Sequence, residues 1–365
     1  MKIAVIGLGY VGLPLALALS KKNTLVGFDI DDSRVIELKK GFDRTGMFDQ
    51  VQLKNFKANV TSQKSDISNS NIFIITVPTP VDENKNPDLS ALNSASRIVG
   101  QFLEKDDIVV YESTVWPGVT EQICGPILEN ISGLKCGYDF FLGYSPERIN
   151  PGDKEHTLEN ITKVVSGQNT MVTKTLTALY EEVTNGGIHV APNIRTAEAA
   201  KSIENAQRDI NIAFINEIAQ ICHKLDISTH DVLEAAETKW NFLKFRPGLV
   251  GGHCIGVDPY YLAKRARDLG HEPHILLTGR KINDEMGSYI ATSILNQLNK
   301  NSKILVLGLT FKEDVKDLRN SQINEIIDKF KKSGHSVCVH DPHASPSEAK
   351  NLYDIQLESS LNLSE

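Results

Sequence analysis

The sequence predicts an α/β protein: a Rossmann-like, doubly wound N-terminal domain, a long central helix, and a second, smaller Rossmann-like unit at the C-terminal end. Three observations predict it. Short, nearly all-apolar runs alternate with amphipathic stretches up to about Val190, as a parallel sheet covered on both faces requires. A helical run follows, with Ala200, Ile203, Ala206, Ile210 and Phe214 at helical spacing. Near the end, a strand followed by Gly308 repeats the opening of the chain in miniature.

Taken in order, strands are expected at 3–6, 25–29, 72–77, 108–112, 140–144, 164–166 and 188–190. Several run directly into polar or turn residues, Gly7, Asp29, Thr79, Ser113, Thr114 and Glu147 among them, and the carboxyl ends of strands are where open α/β sheets bind ligands. Helices are expected at 194–225 and 229–236, leading into a loop with Trp240, Phe242, Phe245 and Arg246. The glycine-rich loop 251–256 comes next, then Asp258 and Pro259 as N-cap and first position of a helix closed by Gly270. A strand at 303–307, a helix at 321–332 and a strand at 337–340 complete the pattern. The domains expected are 1–190, 191–298 and 299–365, the last shorter than a nucleotide-fold unit of roughly 100 residues and so read as either unusually small or truncated.

Composition narrows the function. With 46 acidic and 39 basic residues the formal charge is -7, which excludes a general nucleic-acid binder and leaves room only for a local cationic pocket. No uninterrupted apolar stretch is long enough to span a bilayer, and Met1 runs straight into the first strand without the parts of a signal peptide, so a cytoplasmic location is expected. The cysteines 124, 136, 222, 254 and 338 are scattered without CxxC pairing, which points to reduced thiols and no metal site.

Gly7-Leu8-Gly9-Tyr10-Val11-Gly12 follows a strand and opens a helix, which makes it a dinucleotide fingerprint. Gly7 permits the tight turn, Gly9 lets backbone approach a pyrophosphate, and Gly12 lets helix and strand pack closely. Asp29, about 20 residues on, is placed to accept hydrogen bonds from ribose hydroxyls, which favours NAD over NADP; Arg34 is the one feature pointing the other way.

Cys254 lies in Gly251-Gly252-His253-Cys254-Ile255-Gly256-Val257-Asp258, whose glycines leave a thiol accessible and whose helix start favours thiolate. Such a thiolate attacks an aldehyde to give a thiohemiacetal and, after oxidation, a thioester; alternatively the glycines serve only a turn around a small buried residue. Lys201, Asn205 and Arg208 fall on one side of the long helix, facing either an active site or solvent. Asp258 is either a simple cap or a group that orients the lysine or deprotonates water. Glu147, after Ser145-Pro146, is either a general base for thioester hydrolysis or a solvated loop residue.

These residues resemble the UDP-glucose/GDP-mannose dehydrogenase family along the chain. The matching motifs are the glycine loop, Val77-Pro78-Thr79-Pro80, Glu112-Ser113-Thr114-Val115, Ser145-Pro146-Glu147-Arg148, Glu198-Ala199-Ala200-Lys201 with Asn205, the Cys254 loop, and Phe311-Lys312 followed by Asp317-Leu318-Arg319. The resemblance implies a four-electron oxidation of a UDP-sugar using two NAD, with Cys254 as nucleophile and Lys201, Asn205, Asp258, Thr114 and Glu147 around it. It implies that Arg148, Arg246, Gly251 and Lys312 contact substrate, that Arg319 reaches the cofactor with Tyr10, Val11, Thr79 and Ser113, and that a homodimer forms through the central helix. Gly256-Val257 replace the Pro-Lys of the UDP-glucose members, a departure that looks like the branch acting on UDP-N-acetylhexosamines, the gluco or galacto epimer. Two rival readings are a hydroxyacid dehydrogenase making one hydride transfer, and an NAD-binding protein without catalysis.

Overall fold

The computed structural model describes residues 1–82, 84–149, 155–252, 255–313 and 315–359. The chain divides into two compact units, Met1–Ile203 and Glu204–Glu365.

The first unit is an eight-stranded sheet: β1 (Lys2–Ile6), β2 (Thr24–Phe28), β3 (Asn59–Thr61), β4 (Ile72–Ile75), β5 (Ile108–Tyr111), β6 (Phe141–Tyr144), β7 (Lys163–Gly167) and β8 (Ile188–Val190). Its order, β3-β2-β1-β4-β5-β6-β7-β8, reverses direction between β1 and β4, the switch point at which open sheets bind nucleotides. The first six strands are parallel, and β7 turns antiparallel to β6 while pairing in parallel with β8. Val109, Val110, Ile74 and Ile75 are inaccessible to solvent because helices cover both faces, which explains the lack of alternation in these strands. β3 was not expected from the sequence: it is short and only Val60 of its side chains is apolar.

The second unit holds the later part of the long helix Ile194–Lys224, followed by Thr229–Glu237, Asp258–Asp268 and His274–Leu295. Helix His274–Leu295 was not anticipated, since Gly279 and Gly287 interrupt its pattern. At Gly279 a side chain would meet Ile210 Cγ1 at 3.5 Å and Ala213 Cβ at 3.6 Å, so the glycine permits close helix packing. A parallel pair, β9 (Lys303–Leu307) and β10 (Ser336–His340), and the helix Ile323–Lys332 enclose a core of Leu309, Leu318, Ile327, Val339 and Ile355. Asp258 is the first helical residue rather than the cap; Val257 occupies the cap position and Pro259 stands one place further in, an offset within the usual one-residue play of helix ends. Among the described residues no helix is long and apolar enough to cross a membrane.

Candidate active site

The glycine turn is built as its sequence demands. Gly7 has φ +94° and donates its N–H to Phe28 O at 2.8 Å, bringing the ends of β1 and β2 together. A side chain on Gly12 would fall 1.8 Å from Gly7 O and 2.4 Å from Thr76 Oγ1, whereas nothing lies within 4 Å of one on Gly9. Gly12 is therefore glycine for packing, and Gly9 leaves bare backbone facing open space. Tyr10 and Val11 are half-buried at the start of helix Gly12–Leu19, which has no side-chain cap. Asp29 Oδ2 accepts Leu8 N–H at 2.8 Å and its Oδ1 accepts Asp31 N–H at 2.9 Å, fixing the carboxylate beside the turn.

Arg34, the feature that spoke for a 2′-phosphate, is buried. Its Nε donates to Leu8 O at 2.9 Å and its guanidinium pairs with Asp43 at 2.8 Å, so it braces the turn from beneath.

The strand ends are tied to one another. Thr79 Oγ1 donates to Thr114 O at 2.7 Å, Ser113 Oγ donates to Val77 O at 2.6 Å, and Tyr144 OH donates to Ser113 O at 3.2 Å. Glu147 Oε1 accepts the backbone N–H groups of Arg148 and Ile149, each at 2.6 Å, and Arg148 Nη1 donates to Thr162 O at 3.0 Å. Behind Glu147 lies a buried ion cluster the sequence did not announce: Lys163 Nζ is 2.7 Å from Glu112 Oε2 and 3.4 Å from Glu147 Oε2. Its only sequence signal is a lysine and a glutamate at the ends of otherwise apolar strands.

On the long helix, the polar stripe is buried, which rules out a solvated face. It comprises Glu198, Lys201, Ser202, Asn205, Asp209 and Asn216, and it excludes Arg208, which is exposed. Glu198 accepts the N–H groups of Gly118 at 2.5 Å and Thr120 at 2.9 Å; burial nevertheless pushes its carboxyl up to about 7. Asn205 Nδ2 donates to Asp258 Oδ2 at 2.5 Å, so the residue expected to cap a helix is instead bonded to the stripe. Asp209 pairs with Arg280 at 2.5 Å and accepts from Asn283 Nδ2 at 2.7 Å, a second network absent from the sequence reading.

His253 and Cys254 lie outside the described residues. The glycines before them have a packing reason. A side chain on Gly251 would meet Asn320 O at 2.8 Å and Phe311 Cβ at 3.0 Å; one on Gly252, φ +79°, would meet the Phe311 ring at 2.6 Å. Asn320 Nδ2 donates to Gly252 O at 3.0 Å and Gln322 Nε2 to Val250 O at 2.9 Å. Val250, Gly251 and Gly252 are thus clamped to the segment bearing Lys312 and Arg319. Lys312 is half-buried, Arg319 pairs with Asp317 at 2.6 Å, and Arg246 is exposed and paired with Glu237. The remaining cysteines fit packing or surface roles: Cys124 and Cys222 are buried, Cys136 is half-buried and Cys338 exposed, and burial pushes the Cys124 thiol up to about 12.

Comparison with known proteins decides what this arrangement serves. The NAD-binding domain of the UDP-glucose/GDP-mannose dehydrogenase family matches residues 1–184, its central domain residues 195–285, and its UDP-binding domain residues 305–364. The chain belongs to that family. As a UDP-glucose/GDP-mannose dehydrogenase family member it is an NAD-dependent oxidoreductase with a UDP-binding domain, and the hydroxyacid and non-enzymatic readings give way. It is 53% identical to Protein CapL of Staphylococcus aureus, over 97% of this chain and 85% of that protein. It is 50% identical to the UDP-N-acetyl-D-glucosamine 6-dehydrogenase of Pseudomonas aeruginosa, over 97% and 86%. Among solved structures, the UDP-D-ManNAc dehydrogenase of Pyrococcus horikoshii superposes with a TM-score of 0.87 at 33% identity, covering 94% of this chain and 84% of that one. The bare Gly9 backbone, the close-packed Gly12 and the fixed Asp29 carboxylate fit the NAD that this family's first domain binds.

Proposed function

We propose that the chain oxidises the C6 hydroxyl of UDP-N-acetylglucosamine to the carboxylate, in the cytoplasm and as a homodimer joined through the central helix, to supply surface-polysaccharide synthesis. The observation that carries the substrate is the grading of likeness. Identity is 50% and 47% to the UDP-N-acetyl-D-glucosamine 6-dehydrogenases of Pseudomonas aeruginosa and Salmonella typhi, against 34% to the UDP-N-acetyl-D-mannosamine dehydrogenase of Pyrococcus horikoshii. Gly256-Val257 agree with an N-acetylated sugar.

The glycine turn and Asp29 would hold NAD, which would supply the hydride acceptor for each of two oxidations. The chain's own groups handle protons and carbon. The C6 hydroxyl gives its proton to water, the Lys201 ammonium and the Asn205 amide, one helical turn apart, stabilise the resulting alkoxide, and Asp258 holds that amide through their hydrogen bond. The Cys254 thiolate adds to the C6 aldehyde, forming a C–S bond while the carbonyl oxygen gains a proton. After the second oxidation that carbon is a thioester. Glu147 takes a proton from water, hydroxide adds to the thioester carbonyl, and the C–S bond breaks to release the carboxylate and return the thiolate. Thr79, Ser113 and Thr114 line the same strand ends, Arg148, Gly251, Lys312 and the partner-facing Arg246 hold the substrate, and Arg319 reaches the cofactor.

Initial rates with UDP-N-acetylglucosamine, UDP-N-acetylgalactosamine, UDP-N-acetylmannosamine and UDP-glucose test the substrate: kcat/KM should be greatest for the first, and a preference for another sugar would displace it. Cys254→Ser should abolish acid formation; full product from that variant would sink the covalent route.

A further inference from the structure

The buried cluster behind Glu147 has a composition that a structural salt bridge does not need. Lys163 is 1% exposed and opens β7; Glu112, also 1% exposed, directly follows β5, immediately before Ser113 and Thr114. The Lys163 ammonium lies 2.7 Å from Glu112 Oε2, 3.4 Å from Glu147 Oε2 and 3.4 Å from Pro146 O. The phenol of Tyr180, from helix Thr170–Glu181, donates to the other Glu112 oxygen. Taking such charges out of water costs several kcal/mol each, so an isolated pair replaced by apolar residues would serve packing as well or better. Here two carboxylates share one ammonium, leaving a net negative charge at the carboxyl ends of the strands. Burial alone favours the neutral amine, yet the charges of Glu112 and Glu147 hold Lys163 above its ordinary value, so the cation persists. Burial also raises the proton affinity of Glu112, opposed by Lys163. Glu147 differs from its neighbour: it meets two backbone N–H groups and the far side of the same ammonium, and its carboxylate lies at the rim of the cluster.

We propose that Lys163 and Glu112 are positioning residues for Glu147: the shared ammonium aims the Glu147 carboxylate, and Glu112, by competing for that ammonium, sets how much positive charge Glu147 feels. The charged and titratable groups assigned to this effect are Lys163 on β7, Glu112 after β5, Tyr180 on the helix behind them, and Arg148, whose guanidinium is turned to Thr162 O. The inference rests on the reading of Glu147 as the base that hydrolyses the thioester.

The two acidic and basic members then act in opposite directions. Lys163→Met removes a cation beside the carboxylate, so the acid limb of product release moves to higher pH, by about one to three units. Glu112→Gln gives the ammonium wholly to Glu147, and the limb moves to lower pH, by about one unit. Lys163→Arg keeps the charge and restores most of the wild-type limb. The experiment is rapid-quench measurement of uronate released in a single turnover with saturating NAD, from pH 5 to 9, for the full chain and each variant, with Glu147→Gln as control. Opposite shifts support the proposal. Unmoved limbs in Lys163→Met and Glu112→Gln, with Glu147→Gln stalled before acid release, overturn it and leave the role of Glu147 standing. Full acid release by Glu147→Gln rejects that role instead. If Lys163→Met does not fold, Glu112→Gln decides: a limb that stays in place overturns the proposal.

Discussion

Two strand-turn openings in this chain share a backbone and differ in what they serve. At the first, Gly7 with φ +94° donates to Phe28 O at 2.8 Å, and Asp29 Oδ2 accepts Leu8 N–H at 2.8 Å. At the second, Gly308 with φ +98° donates to His340 O at 2.9 Å, and Asp341 Oδ2 accepts Leu309 N–H at 2.6 Å. Beyond that point they part. The first turn has Gly9 and Gly12 and enters a helix at once; the second has Thr310 and Glu313 at the same steps, and its helix begins only at Ile323. Asp341 also takes the N–H groups of Thr310, His343 and Ala344, so its oxygens are committed to the protein. The glycine and the carboxylate make the turn; we propose that the second and third glycines make it a phosphate cradle. The second opening instead anchors the loop that carries Lys312, Arg319 and the Phe311–Asn320 clamp.

The largest effect that would break this contrast is at Gly12. Gly12→Ala places a carbon 1.8 Å from Gly7 O, so NAD affinity should fall by more than about 100-fold, alongside a loss of about 3 kcal/mol in stability. Glu313→Ala, at the equivalent step of the second turn, should leave NAD affinity within about two-fold. Calorimetric titration of NAD reads both, and equal losses would erase the distinction.

The paired aspartates come next. Asp341→Asn deprives some of four N–H donors of their acceptor and should destabilise the second unit by about 1–3 kcal/mol in urea. Burial works against ionisation of Asp341, but those backbone donors hold its carboxyl below the ordinary value of 3.8. Its contribution is therefore present above that value and lost as pH falls through the lowered one. Asp29→Asn should change NAD affinity by about 10-fold or more and stability far less. If the two variants exchanged these phenotypes, the assignment of cradle and anchor would be reversed.

The account of the long helix predicts a smaller, pH-dependent effect. Burial lifts Glu198 from 4.5 to about 7, so the folded state binds the proton more tightly and native stability falls as pH rises through that interval. The fall is up to about 3 kcal/mol, and Glu198→Gln should flatten it. Urea midpoints at pH 5 and 7.5 read the slope, and parallel slopes in the two proteins would show that Glu198 does not titrate there.

The same contrast explains what the sequence made legible. Strands such as Ile72–Ile75 and Ile108–Tyr111 are wholly apolar because both faces are covered, and their turns carry the residues expected of a nucleotide fold. The glycine loop was readable because each glycine answers a local need. Pairings at long sequence separation were not: Lys163 stands 51 residues from Glu112, and no spacing rule joins them. The polar stripe of the long helix was visible, but burial alone distinguishes Asp209 from Arg208 beside it. Gly251 and Gly252 read as leaving a thiol accessible or as serving a turn, yet Phe311 and Asn320, far along the chain, dictate them.

The central claim, oxidation of one carbon through both alcohol and aldehyde levels, is tested most directly by counting NADH formed per UDP-N-acetylglucosamine consumed by the wild-type chain under limiting sugar. The account predicts two NADH with uronate as the product; one NADH per sugar, with an aldehyde or ketone accumulating, would contradict it.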